Sequence, residues 1–354
     1  MHFRSLALTV AFLRAIAFIR RGFWGSTARM QLLWIGTQAM QLFLKGSEDL
    51  AGRVQGKATY LGTRARIVRL VDRFLSVDVL SDRLSDLPSQ FSSPHQRPWE
   101  PIDWKQVNAA QIIGIDPNLF VQIIGSAAEI EAPIRGYAQE SWDYLHRFHP
   151  QMALFVGGEF SAETGRQSVG IWEKEERQHT PVMRKLYRQL TGQTFQPKPN
   201  AVEGYQESNN PSDAVYRHLC SRISTEWSAI AVYLWLMAHS TGELQQAIAQ
   251  LLQDEVNHLA KFWGFSRWAF GRSSLGQFGV AVGDILALVK HHKGDRTNGQ
   301  EMLSPRQILS QLPRLLEIGF TFVRVMIRIH AWDKELSYSY LKHLFGSHPM
   351  AIAV

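Results

Sequence analysis

Two copies of one short motif constrain this chain more than any other feature of its sequence. Glutamate and histidine stand three residues apart at Glu176 and His179, and again at Glu255 and His258. On an α-helix this spacing places both side chains on one face. Apolar residues recur with helical periodicity around both copies. The chain must therefore fold so that two helices each present one carboxylate and one imidazole.

Long helical patterns follow one another through the middle of the chain, without a convincing alternation of the kind that marks a strand. We predict helices over about Pro117–His146, Ser161–Leu190 and Ser212–His239, and from the turn at Gly242 to about Phe270. The short connection between the last two favours antiparallel neighbours in a four-helix bundle. We predict an all-α protein with this bundle in residues 98–272 and additional packing helices in residues 273–354.

The two motifs supply most of the ligands that a carboxylate-bridged pair of iron ions requires. Such a site takes about four carboxylates and two imidazoles, because hard oxygen ligands suit ferric iron and imidazole suits both of its oxidation states. In helical bundles, two helices contribute one glutamate each and the other two contribute one Glu-x-x-His each. The missing carboxylates are therefore expected on the first and third predicted helices.

Glu226 is the candidate ligand on the third helix. Its same-face neighbours are Leu219, Ile223, Ala229, Ile230 and Tyr233. Burying a carboxylate on such a face is costly unless a cation compensates its charge. We therefore predict that Glu226 binds metal.

The first helix leaves three candidates open: Glu129, Glu131 and Glu140. The same-face neighbours of Glu131 are mostly apolar: Ile124, Ala127, Ala128, Ile134 and Ala138. Glycine, proline and polar side chains surround the other two. Periodicity therefore favours Glu131, with Glu129 and Glu140 as alternatives.

Each motif also carries a second acid directly before its glutamate, Glu175 in the first copy and Asp254 in the second. Metal-bound imidazoles usually donate their remaining N–H to a carboxylate. We predict that Asp254 orients His179 and that Glu175 orients His258, each across the two helices.

Three segments between residues 98 and 270 carry a family resemblance. Trp172–His179 is similar to a Trp-x-x-Glu-Glu-x-x-His motif, and Asp254–His258 is similar to Asp-Glu-x-x-His. Pro98–Asp103 is similar to a Trp-x-Pro-x-Asp segment that precedes a bundle. In these motifs the chain resembles the soluble acyl carrier protein desaturases of the ferritin-like di-iron superfamily.

The resemblance implies a ferritin-like bundle that holds two iron ions through Glu131, Glu176, His179, Glu226, Glu255 and His258. Among these ligands it implies a catalytic role for Glu176, Glu226 and Glu255. It further implies that Trp99, Trp172 and Asp254 help electrons to reach the irons. The implied reaction is the O2-dependent desaturation of a fatty acyl chain on acyl carrier protein, or of an acyl lipid, with electrons from a ferredoxin-type reductant.

The basic charge of the chain lies at its N-terminus. The net charge is +7, yet residues 1–97 alone hold 14 basic and 6 acidic residues. No acid precedes Glu48, which is typical of a transit peptide or of a basic helix on an anionic membrane. We predict a helical extension over residues 1–97 with membrane or acidic-partner contact through residues 1–80, and no nucleic-acid partner. The predicted location is the cytoplasm, either free or at a membrane surface. If the extension is a transit peptide, the predicted location is the plastid stroma.

Several functions remain open at this point. The chain could be another di-iron oxygenase or oxidase acting on a membrane-derived lipid, aldehyde or pigment. It could also be a rubrerythrin-like iron or peroxide protein, or a basic helical scaffold without metal. A single cysteine, Cys220, excludes an internal disulfide and a cysteine-based metal site. The sequence leaves open the acyl length, the double-bond position and whether the protein forms a homodimer.

Overall fold

The part of the chain that the structure describes is almost entirely helical. In this computed structural model it comprises residues 60–161, 165–197, 211–271 and 305–346. The α-helices are α1 (Tyr60–Phe74), α2 (Val77–Ser85), α3 (Leu87–Ser92), α4 (Pro117–Glu131), α5 (Ile134–Leu145), α6 (Pro150–Gly157), α7 (Ile171–Thr191), α8 (Pro211–Ala238), α9 (Gly242–Phe270), α10 (Pro305–Glu335) and α11 (Tyr338–Phe345). A short 3-10 helix spans Ala109–Gln111, and β1 (Phe160–Ser161) pairs antiparallel with β2 (Gly165–Arg166). The prediction of an all-α protein is confirmed for these residues. The predicted extension before residue 60 and residues 272–304 lie outside them.

The first predicted helix, Pro117–His146, is in fact two helices. α4 ends at Glu131 and α5 begins at Ile134. Pro133 accounts for the break, because proline has no N–H to donate and its ring collides with the carbonyl four residues earlier. As a result, Glu131 is the last residue of α4.

The second predicted helix begins later than the sequence indicated, at Ile171 instead of Ser161. The residues before it form the β1–β2 pair, in which Gly165 has a φ of 76°. Glycine adopts this conformation without steric cost. Arg166, the next residue, forms an ion pair with Glu173 in the first turn of α7.

Two pairs of helices form the centre of the fold. α8 and α9 pack along each other and are joined by residues 239–241, and α4 packs along α7. α7 also contacts α9, and α5 contacts both α7 and α8. Nearly every side chain of α9 between residues 244 and 269 is buried, which is typical of a helix with apolar residues on most of its faces. We refer to α4, α7, α8 and α9 as the four site helices.

Residues 60–97 pack into the same hydrophobic core as the site helices. Leu80 and Leu84 of α2 are fully buried, and Leu84 approaches α9 closely because Gly264 has no side chain there. The Nζ of the buried Lys261 in α9 donates to Asp86, between α2 and α3, at 2.9 Å. Residues 60–97 therefore share one hydrophobic core with the site helices.

The basic residues of α1 do not all face outward. The guanidinium of Arg64 lies over the ring of Phe320, and the Nε of Arg66 donates to the carbonyl of Ala238 at 2.6 Å. Burial lowers the pKa of Arg66. Arg69 and Arg73 are exposed, so only part of the predicted basic contact surface is available on α1. None of the described helices combines the length and the hydropathy needed to cross a bilayer.

Gly170 controls where α7 begins, and replacing it by alanine should destabilise the fold. A Cβ at this position would overlap the main-chain carbonyl of Val156. We expect the Gly170→Ala variant to lose about 1–3 kcal/mol of unfolding free energy, as overpacked sites do. Chemical denaturation measures this loss. The control is Gly319→Ala in α10, where a Cβ meets open space and alanine should stabilise the helix by up to about 1 kcal/mol. Equal effects of the two variants would contradict the proposed overlap.

Candidate metal centre

The structure brings the six predicted ligands together between the four site helices. One group consists of Glu131, Glu176, His179 and Glu255. The other consists of Glu176, Glu226, Glu255 and His258. Within each group the candidate ligand atoms lie within 4.8 Å of one another. Each group could hold one metal ion, and the two shared carboxylates, Glu176 and Glu255, could then contact both ions.

This cluster is largely closed to solvent. The two imidazoles are fully buried, and the residues Glu176, Glu226 and Glu255 are at most 3 % exposed. Glu131 is half-buried as a residue, but its carboxylate lies among the other ligand atoms. Buried carboxylates require a compensating positive charge. Four of them in so small a volume, together with two imidazoles, could hold a metal ion.

The pKa values in the cluster show how strongly the carboxylates repel one another. Burial raises the pKa of Glu131 and of Glu226 well above the usual carboxyl range, and the charges of Glu176 and Glu255 raise both further. Burial acts on Glu176 in the same direction, but contacts with His179 and the second imidazole lower its pKa overall. Four carboxylates this close cannot all ionise unless a cation lies among them.

The imidazoles respond to the same carboxylates. Burial alone would lower the pKa of His179, but Glu176, Glu255 and Asp254 together raise it well above its ordinary value. The pKa of His258 is likewise raised against the effect of burial, with Glu175 as the first contributor. Metal binding at this cluster would therefore release protons from both kinds of ligand.

Three buried atoms at the centre make no hydrogen bond: Nδ1 of His179, Nδ1 of His258 and Oε1 of Glu255. The Nδ1 of His258 lies 2.8 Å from Glu176 Oε1, and the Nδ1 of His179 lies 3.2 Å from Glu176 Oε2, yet neither contact forms a hydrogen bond. Buried polar atoms without partners are rare in folded proteins. The two nitrogens lie against the shared carboxylates, and Oε1 of Glu255 belongs to one of these carboxylates, so all three atoms fit the role of metal ligands.

The outer nitrogen of each imidazole contacts the acid that the sequence predicted for it. The Nε2 of His179 lies 3.3 Å from Asp254 Oδ2, and the Nε2 of His258 lies 2.8 Å from Glu175 Oε2. Both contacts cross between α7 and α9. Because Nε2 is engaged on the outside, Nδ1 is the ring atom left to face the cluster.

Both predicted tryptophans donate a hydrogen bond to a carboxylate of the site. The indole N–H of Trp99 donates to Asp254 Oδ2 at 2.9 Å. The indole N–H of Trp172 donates to Glu226 Oε1 at 3.2 Å. Trp99 is half-buried and Trp172 is buried. The two indoles thus reach different parts of the site, one at an outer acid and one at a candidate ligand.

The structure distinguishes between the three glutamates of the first predicted helix. Glu131 belongs to the cluster, whereas Glu129 is half-buried outside it. Glu140 lies on α5, where one of its carboxylate oxygens is 3.8 Å from Arg222. The helix break at Pro133 separates Glu140 from the face that carries Glu131.

Sequence reasoning missed two polar residues that contact the site. Arg97 reaches Asp254 and Glu175, and the hydroxyl of Tyr233 donates to Glu131 Oε1 at 3.2 Å. A signal for Tyr233 existed, because it shares a helix face with Glu226. Arg97 carried no periodic signal, since it lies in a non-helical segment before α4.

Comparison with known proteins does not assign a family or a function to this chain. No protein-family model matches the chain, and no curated protein and no solved structure is significantly similar to it. The functional interpretation therefore depends on the side chains of the site.

Proposed function

We propose that this protein is a ferritin-like, four-helix-bundle di-iron enzyme that uses O2 to desaturate a fatty acyl chain. The observation that carries the proposal is the pair of ligand groups that share Glu176 and Glu255. In the described residues the shared carboxylates lie between two imidazoles whose inner nitrogens have no hydrogen-bond partner. This arrangement suits two metal ions better than one.

The chemistry of the donor set favours iron. Four carboxylates and two imidazoles without a thiolate match the hard-to-intermediate ligands that iron takes. Structural zinc sites, in contrast, are mostly tetrahedral and rich in cysteine or histidine. Two iron ions in this site would supply the activation of O2 and the oxidation of an unactivated C–H bond, with electrons from a ferredoxin-type reductant.

The residues around the cluster have roles that suit this chemistry. Glu175 and Asp254 hold the imidazoles from outside. Burial excludes bulk water, which strengthens electrostatic interactions and limits side reactions. Trp99, Asp254 and His179 form a continuous chain of contacts from a half-buried indole to a ligand. We propose this chain as the route for electrons.

The substrate class is the part of the proposal that comes from the family resemblance. The basic N-terminal sequence supports an acyl chain on acyl carrier protein as the substrate, because a basic surface associates readily with an acidic carrier. A cleft of about 610 Å³ lies between α4 and α7, two of the site helices, with Val121, Tyr187 and Leu190 among its lining residues. None of the candidate metal ligands lines this cleft, so the acyl substrate is supported by the resemblance and by charge, and not by this cleft.

Lipid profiling tests this proposal. The wild-type chain, expressed in a host that supplies ferredoxin and its reductase, is expected to produce a new unsaturated acyl species. The Glu226→Ala variant should produce none, because it lacks a candidate ligand. The matched control is Glu129→Ala, which removes a glutamate outside the cluster and should keep the product.

Two outcomes would contradict the proposal in different ways. Protein with two bound irons and an unchanged lipid profile would indicate another di-iron oxygenase or oxidase, acting on a lipid, aldehyde or pigment. Protein that holds well under one iron per chain after anaerobic ferrous loading would exclude the di-iron site itself.

A further inference from the structure

Arg97 lies in the non-helical segment that precedes α4, yet its side chain is only 8 % exposed. Its Nε lies 2.6 Å from Asp254 Oδ1, and its main-chain N–H donates to Glu175 Oε1, also at 2.6 Å. Its Nη2 donates to the main-chain carbonyl of Gln250 at 2.7 Å. One residue thus contacts both acids that stand behind the imidazoles, and a third contact ties it to α9.

The two contacts of Arg97 are of different kinds. The charged guanidinium of Arg97 contacts Oδ1 of Asp254. The other oxygen of Asp254, Oδ2, accepts from Trp99 and contacts His179. Glu175 meets only the main-chain N–H of Arg97. Consequently, a side-chain substitution at position 97 should disturb the His179 side and leave the His258 side in place.

The charge of Arg97 matters because the acids that it contacts are buried. Asp254 is fully buried, and Glu175 is 1 % exposed. The guanidinium of Arg97 meets the carboxylate of Asp254 at 2.6 Å, so this buried acid is held in an ion pair. An ionised acid of fixed orientation can hold an imidazole N–H, and such outer contacts influence metal affinity.

We propose that Arg97 is a positioning residue for both halves of the metal centre: its guanidinium fixes Asp254 behind His179, and its main-chain N–H fixes Glu175 behind His258. This role rests on the proposed di-metal function. It adds a residue from outside the four site helices to the machinery of the site. It also means that a mutation at Arg97 can weaken one metal position and leave the other intact.

Anaerobic titration with Co²⁺ alone, followed by absorption spectroscopy, tests the role. Wild-type protein should bind two ions. The Arg97→Ala variant should bind the ion at His179 about 10- to 100-fold more weakly, the usual effect of losing an outer partner, and the other ion as tightly as wild type. Its spectrum at low Co²⁺ should match that of His179→Ala and differ from that of His258→Ala.

A second variant separates the main-chain contact from the side-chain contact. Arg97→Pro removes the N–H as well as the guanidinium, and the position already precedes Pro98, which favours extended backbone. This variant should weaken both ions by about 10-fold or more. Arg267→Ala is the matched control, because Arg267 pairs with Asp333 at the same 2.6 Å, away from the cluster. It should lower the melting temperature without changing Co²⁺ binding.

Three results would overturn the inference. Arg97→Ala that binds both ions like wild type would show that the guanidinium positions nothing. If Arg97→Ala weakened both ions equally and Arg267→Ala weakened them to the same extent, the role of Arg97 would be reduced to general stability. Wild-type protein that binds no Co²⁺ would overturn the metal centre itself and this role with it.

Discussion

Replacement of Glu176 by alanine is expected to remove both metal ions from the site. Glu176 belongs to both ligand groups, and its two oxygens lie 2.8 Å and 3.2 Å from the inner nitrogens of His258 and His179. Loss of an outer partner weakens metal binding by about 10- to 100-fold, so loss of a shared direct ligand should exceed about 100-fold for each ion.

Metal analysis after anaerobic ferrous loading measures this effect. Wild-type protein should hold two irons per chain, and the Glu176→Ala variant close to none. Glu129→Ala serves as the control, since that side chain lies outside both groups and its removal should leave both irons bound. A Glu176→Ala protein that retains two irons would show that this carboxylate is not a shared ligand.

Metal affinity is also expected to fall steeply as the pH is lowered. The raised pKa values of Glu131 and Glu226 mean that these groups bind protons more readily than ordinary carboxyls, and metal binding displaces those protons. The raised pKa values of His179 and His258 act in the same direction. Each released proton should weaken binding by about tenfold per pH unit of acidification.

Co²⁺ titrations between about pH 6 and pH 8, combined with direct measurement of released protons, test this dependence. We expect at least two protons to be released for two ions bound. The Glu226→Gln variant cannot ionise at that position, so it should release about one proton fewer and show a shallower pH slope. Glu129→Gln should leave both quantities unchanged. An affinity independent of pH across this range would contradict a protonated cluster.

The six candidate ligands and the crossed acid–imidazole contacts were largely readable from the chain. Helical periodicity converts a spacing of three residues into a shared face, so each Glu-x-x-His pair is determined locally. The apolar neighbours of Glu226 identified it because a buried carboxylate requires a cation. The crossed contacts of Glu175 and Asp254 followed from the chemistry of metal-bound imidazole.

The helix boundaries were predicted less well, although local signals existed. Pro133 ends α4, and Gly165 belongs to the β1–β2 pair where a helix was expected. Around Pro133 the apolar pattern continues across the break, because Ala128 of α4 and Ile134 of α5 both face the core. Residues 165–168, in contrast, are polar or glycine and lie at least partly exposed. A prediction from periodicity alone gave one helix at each place where proline or glycine separates two elements.

Only the tertiary structure decided between the glutamates of the first predicted helix and revealed Arg97. Periodicity favoured Glu131 but left Glu129 and Glu140 open, and the bend at Pro133 determines which of these carboxylates reaches the cluster. Arg97 and Asp254 are 157 residues apart, and Arg97 belongs to an irregular segment without a repeating face. The sequence by itself determined which helix faces carry the ligands, because a helix face is a local property. The choice of Glu131 and the position of Arg97 depend on how distant segments pack together, which only the folded chain defines.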